Sequence, residues 1–160
     1  PGGVKGRVNV YQDYMADPNR LGIFGTRNTD ATLPGKEYVF GLTLKEDRVA
    51  YPFRYLSRSP LVHDIVADEP VLVVFVAPEA TAIAFSRRIG TRTMQFTRLH
   101  RTEGHWAMED TLTGSTWLAL KGEAIAGPLK GSQLNPLPGH LAFWFAWKGL
   151  YPQSRLWSGS

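Results

Sequence analysis

Four side chains of the sequence have types suited to acid–base chemistry. His63 and Asp64 are adjacent in the apolar run LVHDIV, Glu79 lies in the turn APEA between two apolar runs, and Glu123 begins the segment EAIAGPLKG. An imidazole and a carboxylate act together as acid and base when a cleft brings them within hydrogen-bond reach of one substrate. The four residues are therefore our candidate catalytic group, and the chemistry they would suit is that of a hydrolase or lyase.

The pair His63–Asp64 cannot form a relay by itself if LVHDIV is a strand. Successive side chains of a strand point to opposite faces, so the two groups need partners from elsewhere, such as Glu79 or Glu123. The alternative interpretation is a pair at a strand edge or turn, with Asp64 capping the backbone. We favour this structural interpretation over a catalytic one.

A second cluster of polar residues resembles a metal-ligand set. His100, Glu103 and His105 lie close together in LHRTEGHW, and two histidines with one carboxylate can bind a transition metal. However, the spacing matches no established motif, and the charge of Arg101 would oppose a cation. We interpret the segment as a solvated turn and predict no metal site.

Other catalytic motifs are missing from the sequence. There is no G-x-S-x-G nucleophile elbow, and the glycines of residues 122–131 have neither the P-loop lysine pattern nor a following helix. Glu109 and Asp110, together with Glu79 and Glu123, could supply the paired carboxylates of a glycosidase, but the sequence does not give their separation. We therefore predict no cofactor and leave a small-molecule ligand open.

Aromatic residues are concentrated near the C-terminus, in the run FWFAW and in the residues that follow it. Such a group usually belongs to a core that closes one end of a sheet, whereas exposed aromatics would indicate an interface. A second candidate surface is the alternating valine pattern near the N-terminus. The interface candidates are Val4, Val8, Val10, Trp144, Trp147, Tyr151 and Trp157.

Composition limits the class of protein. The 160 residues, 43% hydrophobic and 20% charged, indicate one globular domain. The net charge of +4 is scattered, so we predict no nucleic-acid partner. The absence of cysteine excludes thiol, zinc-finger and iron–sulfur chemistry. No apolar stretch approaches the ~20 residues of a membrane helix. The start at Pro1 without Met fits a processed, exported chain.

Sixteen glycines and eleven prolines divide the chain into short segments, which favours strands and turns over long helices. We predict a mainly β fold: one compact domain of short antiparallel strands, barrel- or sandwich-like, with one C-terminal helix packed on the sheet. Residues 1–36 form an extended N-terminal arm and surface connection, and residues 37–160 form the globular domain. The predicted elements are a hairpin over 38–44 and 48–51, a helical turn within 52–59, strands over 61–66, 71–76, 82–86 and 93–99, a second hairpin over 105–109 and 115–120, an irregular stretch over 122–138, and a helix over 139–150.

Several segments, in order and spacing, resemble a known family. They are AYPF (50–53), VHD (62–64), residues 71–87, Asp110 with GSTW (114–117), GEAIAGPLKG (122–131), and the two tryptophans before Tyr151. Over residues 37–157 the chain is similar to the bacterial domain-of-unknown-function family 3179. The resemblance implies an exported protein, but it brings no settled biochemical activity.

The chain also departs from that family's pattern. Many members carry C-P-x-C-G-T-A where this chain has VAPEATA, so Val76 and Glu79 occupy the two cysteine positions. A thiol-redox or thiolate-metal role is therefore impossible here. His63 also stands where an asparagine is common. The pattern indicates a retained scaffold from which any cysteine-based site has been lost.

These observations lead to two functional hypotheses. The first is a non-catalytic periplasmic or extracellular β-module, either a binding protein or an assembly subunit, whose partner is another protein or a second copy of the chain. Residues 4–10 would then add as a strand to a neighbouring subunit's sheet edge. The second is an exported hydrolase or lyase that uses the carboxylates and histidine named above.

Overall fold

The computed structural model describes residues 33–159; the predicted arm strand containing Val4, Val8 and Val10 lies outside them. Within this range the chain forms short strands and two short helices. In chain order these are β1 (Tyr38–Leu44), β2 (Asp47–Pro52), α1 (Phe53–Leu56), β3 (Leu61–Val66), β4 (Glu69–Val76), β5 (Thr81–Ser86), β6 (Arg88–Ile89), β7 (Arg92–Thr93), β8 (Phe96–Thr102), β9 (His105–Asp110), β10 (Thr116–Leu118), β11 (Glu123–Ala126), β12 (Pro136–Leu137), β13 (Gly139–Phe143), α2 (Trp144–Leu150) and β14 (Arg155–Leu156).

The described strands form three four-stranded sheets and one two-stranded ribbon. The first sheet has the order β13-β1-β2-β14, the second β12-β5-β4-β3 and the third β11-β10-β9-β8, while β6 and β7 form the ribbon. Every pair is antiparallel except β2 with β14. The predicted mainly β class is confirmed, and within residues 33–159 no sheet closes into a barrel.

The second sheet lies between the other two, as the burial of β4 shows. Val71, Val73 and Phe75 belong to one core cluster, shared with residues of β1 and β2. Leu72 and Val74 point the other way, into a cluster shared with β9 and β10. A strand buried on both faces has no polar alternation, which explains the unbroken apolar run of β4. The second sheet therefore separates two apolar layers, and a third, smaller cluster lies on the outer face of the first sheet.

The predicted helix over 139–150 is wrong in its first half. Gly139–Phe143 is a strand that pairs with β1, placing Leu141 opposite Phe40, and the helix begins only at Trp144. A continuous apolar run carries no period that distinguishes a strand from a buried helix. The glycine matters for this pairing, because a Cβ atom at Gly139 would lie 2.2 Å from the Phe40 ring.

Smaller differences concern the second half of the chain. The strand predicted over 93–99 starts later, at Phe96, and its register with β9 is irregular between Thr97 and His100. The strand predicted over 115–120 ends at Leu118. The stretch predicted to be irregular contains the short strands β11 and β12. Both predicted hairpins, β1–β2 and β9–β10, are present.

Candidate functional site

The two neighbouring candidates on β3 have different partners. His63 stands opposite Leu72 and Asp64 opposite Val71 in the pairing of β3 with β4. The imidazole of His63 reaches the backbone of Phe96 on β8, whereas the Asp64 carboxylate faces the first sheet. The alternation of the strand therefore sends the acid and the base to opposite faces.

His63 acts as a hydrogen-bond acceptor. Its Nε2 accepts the backbone N–H of Phe96 at 2.9 Å, which ties β3 of the second sheet to β8 of the third. Burial lowers the pKa of His63, and the nearby positive charge of Arg87 lowers it further. The neutral imidazole is the form that this contact requires, because a protonated Nε2 has no lone pair to accept the bond.

Asp64 connects the first and second sheets. Its Oδ2 accepts a hydrogen bond of 2.7 Å from the Tyr51 hydroxyl on β2 and one of 3.0 Å from Arg155 Nη2 on β14. Its Oδ1 accepts the backbone N–H of Ile65. Burial raises the pKa of Tyr51, and the carboxylate beside it raises that pKa further. The phenol is therefore held neutral as a donor to Asp64.

A buried guanidinium close to Asp64 was missed by sequence reasoning. Arg87 donates to three backbone carbonyls: that of Val71 from Nε at 3.0 Å, that of Met94 from Nη1 at 3.1 Å, and that of Asp64 from Nη2 at 3.1 Å. The sequence shows only an Arg-Arg pair, which is usually a solvated feature. A hint was available in its position directly after the apolar strand β5, where the chain is still inside the core.

Glu79 lies in the turn between β4 and β5. Its Oε1 accepts a hydrogen bond of 3.2 Å from Trp106 Nε1, and its Oε2 pairs with Arg101 Nη1 at 3.3 Å. The Arg101 guanidinium also lies 5.4 Å from the centre of the Trp106 ring. The turn is therefore attached to the β8–β9 hairpin by its one acidic side chain.

Glu123 stands at the first position of β11, the edge of the third sheet, and its side chain is exposed. Its backbone pairs with Leu118 and bridges to Gln133. The contacts described for His63, Asp64 and Glu79 involve β2, β8, β9 and β14, and none involves β11. Among the described residues, the four candidates thus do not share a hydrogen-bond network.

A buried carboxylate occurs at the end of β9. Asp110 accepts hydrogen bonds from Trp117 Nε1 at 2.8 Å and from the backbone N–H and hydroxyl of Thr113. Burial alone would raise its pKa, but these hydrogen bonds outweigh burial and hold the pKa below its usual value. The Ser115 hydroxyl, also buried, contacts the Thr113 hydroxyl and accepts the N–H of Leu129. The group organises the β9–β10 connection.

A second carboxylate, Glu37, is fully buried immediately before β1. Its Oε2 accepts the backbone N–H of Arg54 at 2.9 Å, and its Oε1 contacts Arg54 Nε at 3.4 Å. Burial raises the pKa of Glu37, while Arg54 opposes that rise. The pair fixes α1 against the start of the first sheet.

The segment with His100, Glu103 and His105, for which the sequence predicts no metal site, belongs to the β8–β9 hairpin. His100 Nδ1 lies 2.6 Å from the carbonyl oxygen of Arg98, so this nitrogen is already hydrogen-bonded. Glu103 and His105 are exposed in the β8–β9 hairpin. Residues 33–159 contain no group of three histidine, cysteine, aspartate or glutamate side chains placed to hold a metal ion.

The aromatic interface candidates are mostly inside the molecule. Trp144 and Trp147 are buried with Val39 and Ala50 under the first sheet, and Tyr151 packs at the edge of that cluster. Trp157 is buried in the cluster between the first and second sheets. Their packing supports the core interpretation for these rings, and an interface role stays a prediction.

The chain is a cysteine-free, mainly β domain in which polar side chains join the three four-stranded sheets. No helix within residues 33–159 has the length and apolar character needed to cross a membrane. The chain belongs to the family described as "Protein of unknown function (DUF3179)", whose model matches residues 6–154. The match extends into the predicted N-terminal arm. No curated protein and no solved structure gives a significant match.

Proposed function

We propose that this domain is a non-catalytic extracytoplasmic β-module that assembles with a second copy of itself. The observation that carries the proposal is that β13 and the helix that follows it carry large exposed apolar side chains beside the edge of the first sheet. Leu141 on β13 is 44% exposed, and Phe145 and Leu150 on α2 are 61% and 71% exposed. Large exposed apolar side chains next to a sheet edge are a feature of interaction surfaces.

The edge itself has geometry that suits self-association. Among the described strands, β13 pairs with β1 on one side only and ends the order of the first sheet. The backbone N–H of Trp144 donates to the carbonyl oxygen of Glu37, the residue before β1. In an antiparallel pair, the backbone groups of successive residues point alternately toward and away from the neighbouring strand. The N–H and C=O groups of Leu141 and Phe143 therefore point away from β1. Two antiparallel copies of such an edge are self-complementary, as a two-fold dimer requires.

The N-terminal arm and the cellular location complete the proposal. Val4, Val8 and Val10, outside the described residues, would extend the interface as an added strand. The extracytoplasmic location is supported by the resemblance, which implies export. The buried tryptophans would then stabilise the helix that presents Phe145 and Leu150 to the partner.

The hydrolase or lyase hypothesis receives less support. His63 and Asp64 face opposite sides of β3, and the carboxylates of Asp64 and Glu79 are each occupied by donors from neighbouring sheets. A catalytic group must be free to reach substrate and exchange a proton. The hydrogen bonds of His63, Asp64 and Glu79 instead join neighbouring strands.

The decisive experiment measures the mass of the protein in solution over a range of concentrations by light scattering. We expect a dimer or larger species that dissociates when the edge is changed by Leu141→Lys or Phe145→Glu, since a lysine on an edge strand opposes pairing. Leu112→Glu is the matched control, because Leu112 is 54% exposed at a different site. A chain that stays monomeric at high concentration contradicts the proposal. Deleting residues 1–12 measures the contribution of the arm.

A further inference from the structure

Within residues 33–159 the three four-stranded sheets end in six edge strands, and five of them are protected against pairing with another chain. Natural sheets protect their edges with very short strands, prolines, charged side chains, bulges or a covering segment. β14 and β12 are only two residues long, and they carry Arg155 and Pro136. In β8 the register with β9 is irregular after Thr97, and Arg98 has a positive φ. These three edges are therefore unsuited to regular pairing.

The edges at β3 and β11 have outward backbone groups that are already bonded. On β3, Ile65 donates its N–H to Asp64 Oδ1 at 2.8 Å, and its carbonyl oxygen accepts a bond of 3.3 Å from Arg155 Nη2. On β11, the N–H and the carbonyl oxygen of Ala124 are both hydrogen-bonded to the loop 131–132. A partner strand would have to displace these bonds before it could pair.

The β13 edge carries none of these protections. Its sequence, GHLAF, contains no proline, lysine, arginine, aspartate or glutamate, and its register with β1 is regular throughout. The alternation that directs Leu141 and Phe143 away from β1 also applies to Gly139. No other residue of 33–159 is hydrogen-bonded to these outward backbone groups. β13 is therefore the least protected of the six described edges.

A two-fold axis allows only certain registers between two copies of this edge. Facing residues of an antiparallel pair exchange hydrogen bonds only when the backbone groups of both point into the interface. With Leu141 opposite the partner's Leu141, Gly139 faces the partner's Phe143, and Phe143 faces the partner's Gly139. All three outward residues are then paired. An axis centred on His140 or Ala142 leaves one of the three without a residue of β13 opposite it.

The side chains of this register are compatible on both faces of the sheet. Leu141 is 44% exposed and meets its own copy, so each leucine covers the other. Gly139 stands opposite the partner's Phe143, which places the smallest residue beside a large ring. On the other face, His140 stands opposite the partner's Ala142, again a large side chain beside a small one. The five residues bring no two like-charged lysine, arginine, aspartate or glutamate side chains together.

We propose that β13 pairs with β13 of a second copy, with Leu141 on the two-fold axis, so that the first sheets of the two chains form one continuous sheet with four strands from each copy. Main-chain hydrogen bonds supply affinity in strand addition of this kind. The inference rests on the proposed function, because it specifies how the two copies of that assembly meet.

Single-cysteine variants test the register, since the chain has no cysteine of its own. Facing residues of a hydrogen-bonded antiparallel pair have Cα atoms about 5.5 Å apart, which a disulfide can span. Under oxidation with copper phenanthroline, Leu141→Cys should give about ten times more disulfide-linked dimer than Leu112→Cys, an exposed control at another site. His140→Cys and Ala142→Cys should crosslink less than Leu141→Cys. If either crosslinks more, the axis is centred on that residue and the proposal is overturned.

A second pair of variants tests the backbone contact. Leu141→Pro removes an N–H that points away from β1, so the hydrogen bonds within the first sheet remain. The dissociation constant of the dimer should rise at least about tenfold relative to Leu141→Val, which keeps the N–H and an apolar side chain. Thermal unfolding verifies that both variants are folded. Equal dissociation constants in two folded variants would show that this N–H makes no bond to the partner and would contradict the proposal.

The register and the assembly itself fail in different ways. A wild-type chain that stays monomeric by light scattering contradicts the assembly. A dimer in which Leu141→Cys crosslinks no better than Leu112→Cys keeps the assembly and overturns this register. Crosslinking of Leu141→Cys that occurs only after residues 1–12 are deleted would mean that the chain's own N-terminal arm occupies β13, and it also overturns the proposal.

Discussion

The Tyr51 hydroxyl donates a hydrogen bond of 2.7 Å to Asp64 Oδ2, and this contact joins the first sheet to the second. Tyr51 is fully buried, so its phenol has no water to replace that acceptor. Arg155 binds the same carboxylate oxygen from β14. The Asp64 side chain, a candidate acid–base group from its sequence position, is thus the junction of three strands.

Replacing Tyr51 with phenylalanine should destabilise the fold by about 1–2 kcal/mol, because the carboxylate loses one donor while keeping Arg155. Urea denaturation followed by tryptophan fluorescence gives this number as a shift in the free energy of unfolding. Tyr55→Phe is the control, since the Tyr55 hydroxyl makes no hydrogen bond among the described contacts. That variant should stay within about 0.5 kcal/mol of wild type. Equal losses in the two variants would contradict the role given to the 2.7 Å bond.

The strands could be predicted where the sequence itself marks their ends. The sequence predicts β3 at Leu61–Val66, as the structure has it, because Pro60 precedes it and the segment ADEP (67–70), with two acidic residues and a proline, follows it. The helix over 139–150 was wrong at its start, because strand formation there depends on pairing with β1, about 100 residues earlier. Local pattern decides local structure only where no distant strand competes for the backbone.

The partners of the candidate site residues could not be predicted for a related reason. Asp64 binds groups 13 and 91 residues away in the sequence, and His63 binds a backbone amide 33 residues away. Strand alternation correctly separated the acid from the base. It carries no information about which sheet faces each side, so the bridging roles of Tyr51 and Arg155 appear only in the folded chain.

Stability should fall as the pH drops below about 6.5, because the folded protein favours neutral His63. A pKa that is lower in the folded state than in the unfolded state gives stability that is complete above the unfolded pKa and is lost as the pH falls through the folded one. A single proton limits the slope to about 1.4 kcal/mol per pH unit, and solvent screening of the part-exposed ring reduces it. Denaturation curves at pH 7.5, 6.5 and 5.5 measure it.

The substitution His63→Gln isolates this residue from the other three histidines. An amide oxygen can accept the Phe96 N–H but does not titrate in this range, so the slope between pH 7.5 and 5.5 should be smaller than in wild type. His105→Gln is the control, because His105 is exposed at the start of β9. A slope reduced equally by both changes would show that general charge, and not the contact with Phe96, sets the pH dependence.

The Asp110 carboxylate should stabilise the fold at neutral pH and stop doing so in acid. Its pKa is below the usual value in the folded chain, so its contribution is complete above about 3.9 and is lost as the pH falls through the lower folded pKa. We expect Asp110→Asn to cost about 1.5–3 kcal/mol at pH 7, since bonds from Trp117 and Thr113 lose their charged acceptor. At pH 2.5 the difference from wild type should shrink. Asp68→Asn, an exposed aspartate, should cost little at either pH, and a pH-independent loss in Asp110→Asn would refute the charge-based explanation.

Two glycines near the aromatic cluster make a matched pair for the last prediction. A Cβ atom at Gly41 on β1 would lie 2.2 Å from the Trp147 ring, whereas one at Gly149 in α2 would meet nothing within 4 Å. Gly41→Ala should therefore destabilise the fold by about 1–3 kcal/mol through displacement of a fully buried ring, and Gly149→Ala should stabilise it by up to about 1 kcal/mol through helix propensity. Thermal and urea unfolding measure both changes, and the near-ultraviolet circular dichroism of the tryptophans should change only in the first variant. If Gly41→Ala leaves the free energy of unfolding unchanged, the Trp147 ring does not pack closely on Gly41, and this contact does not fix α2 to β1.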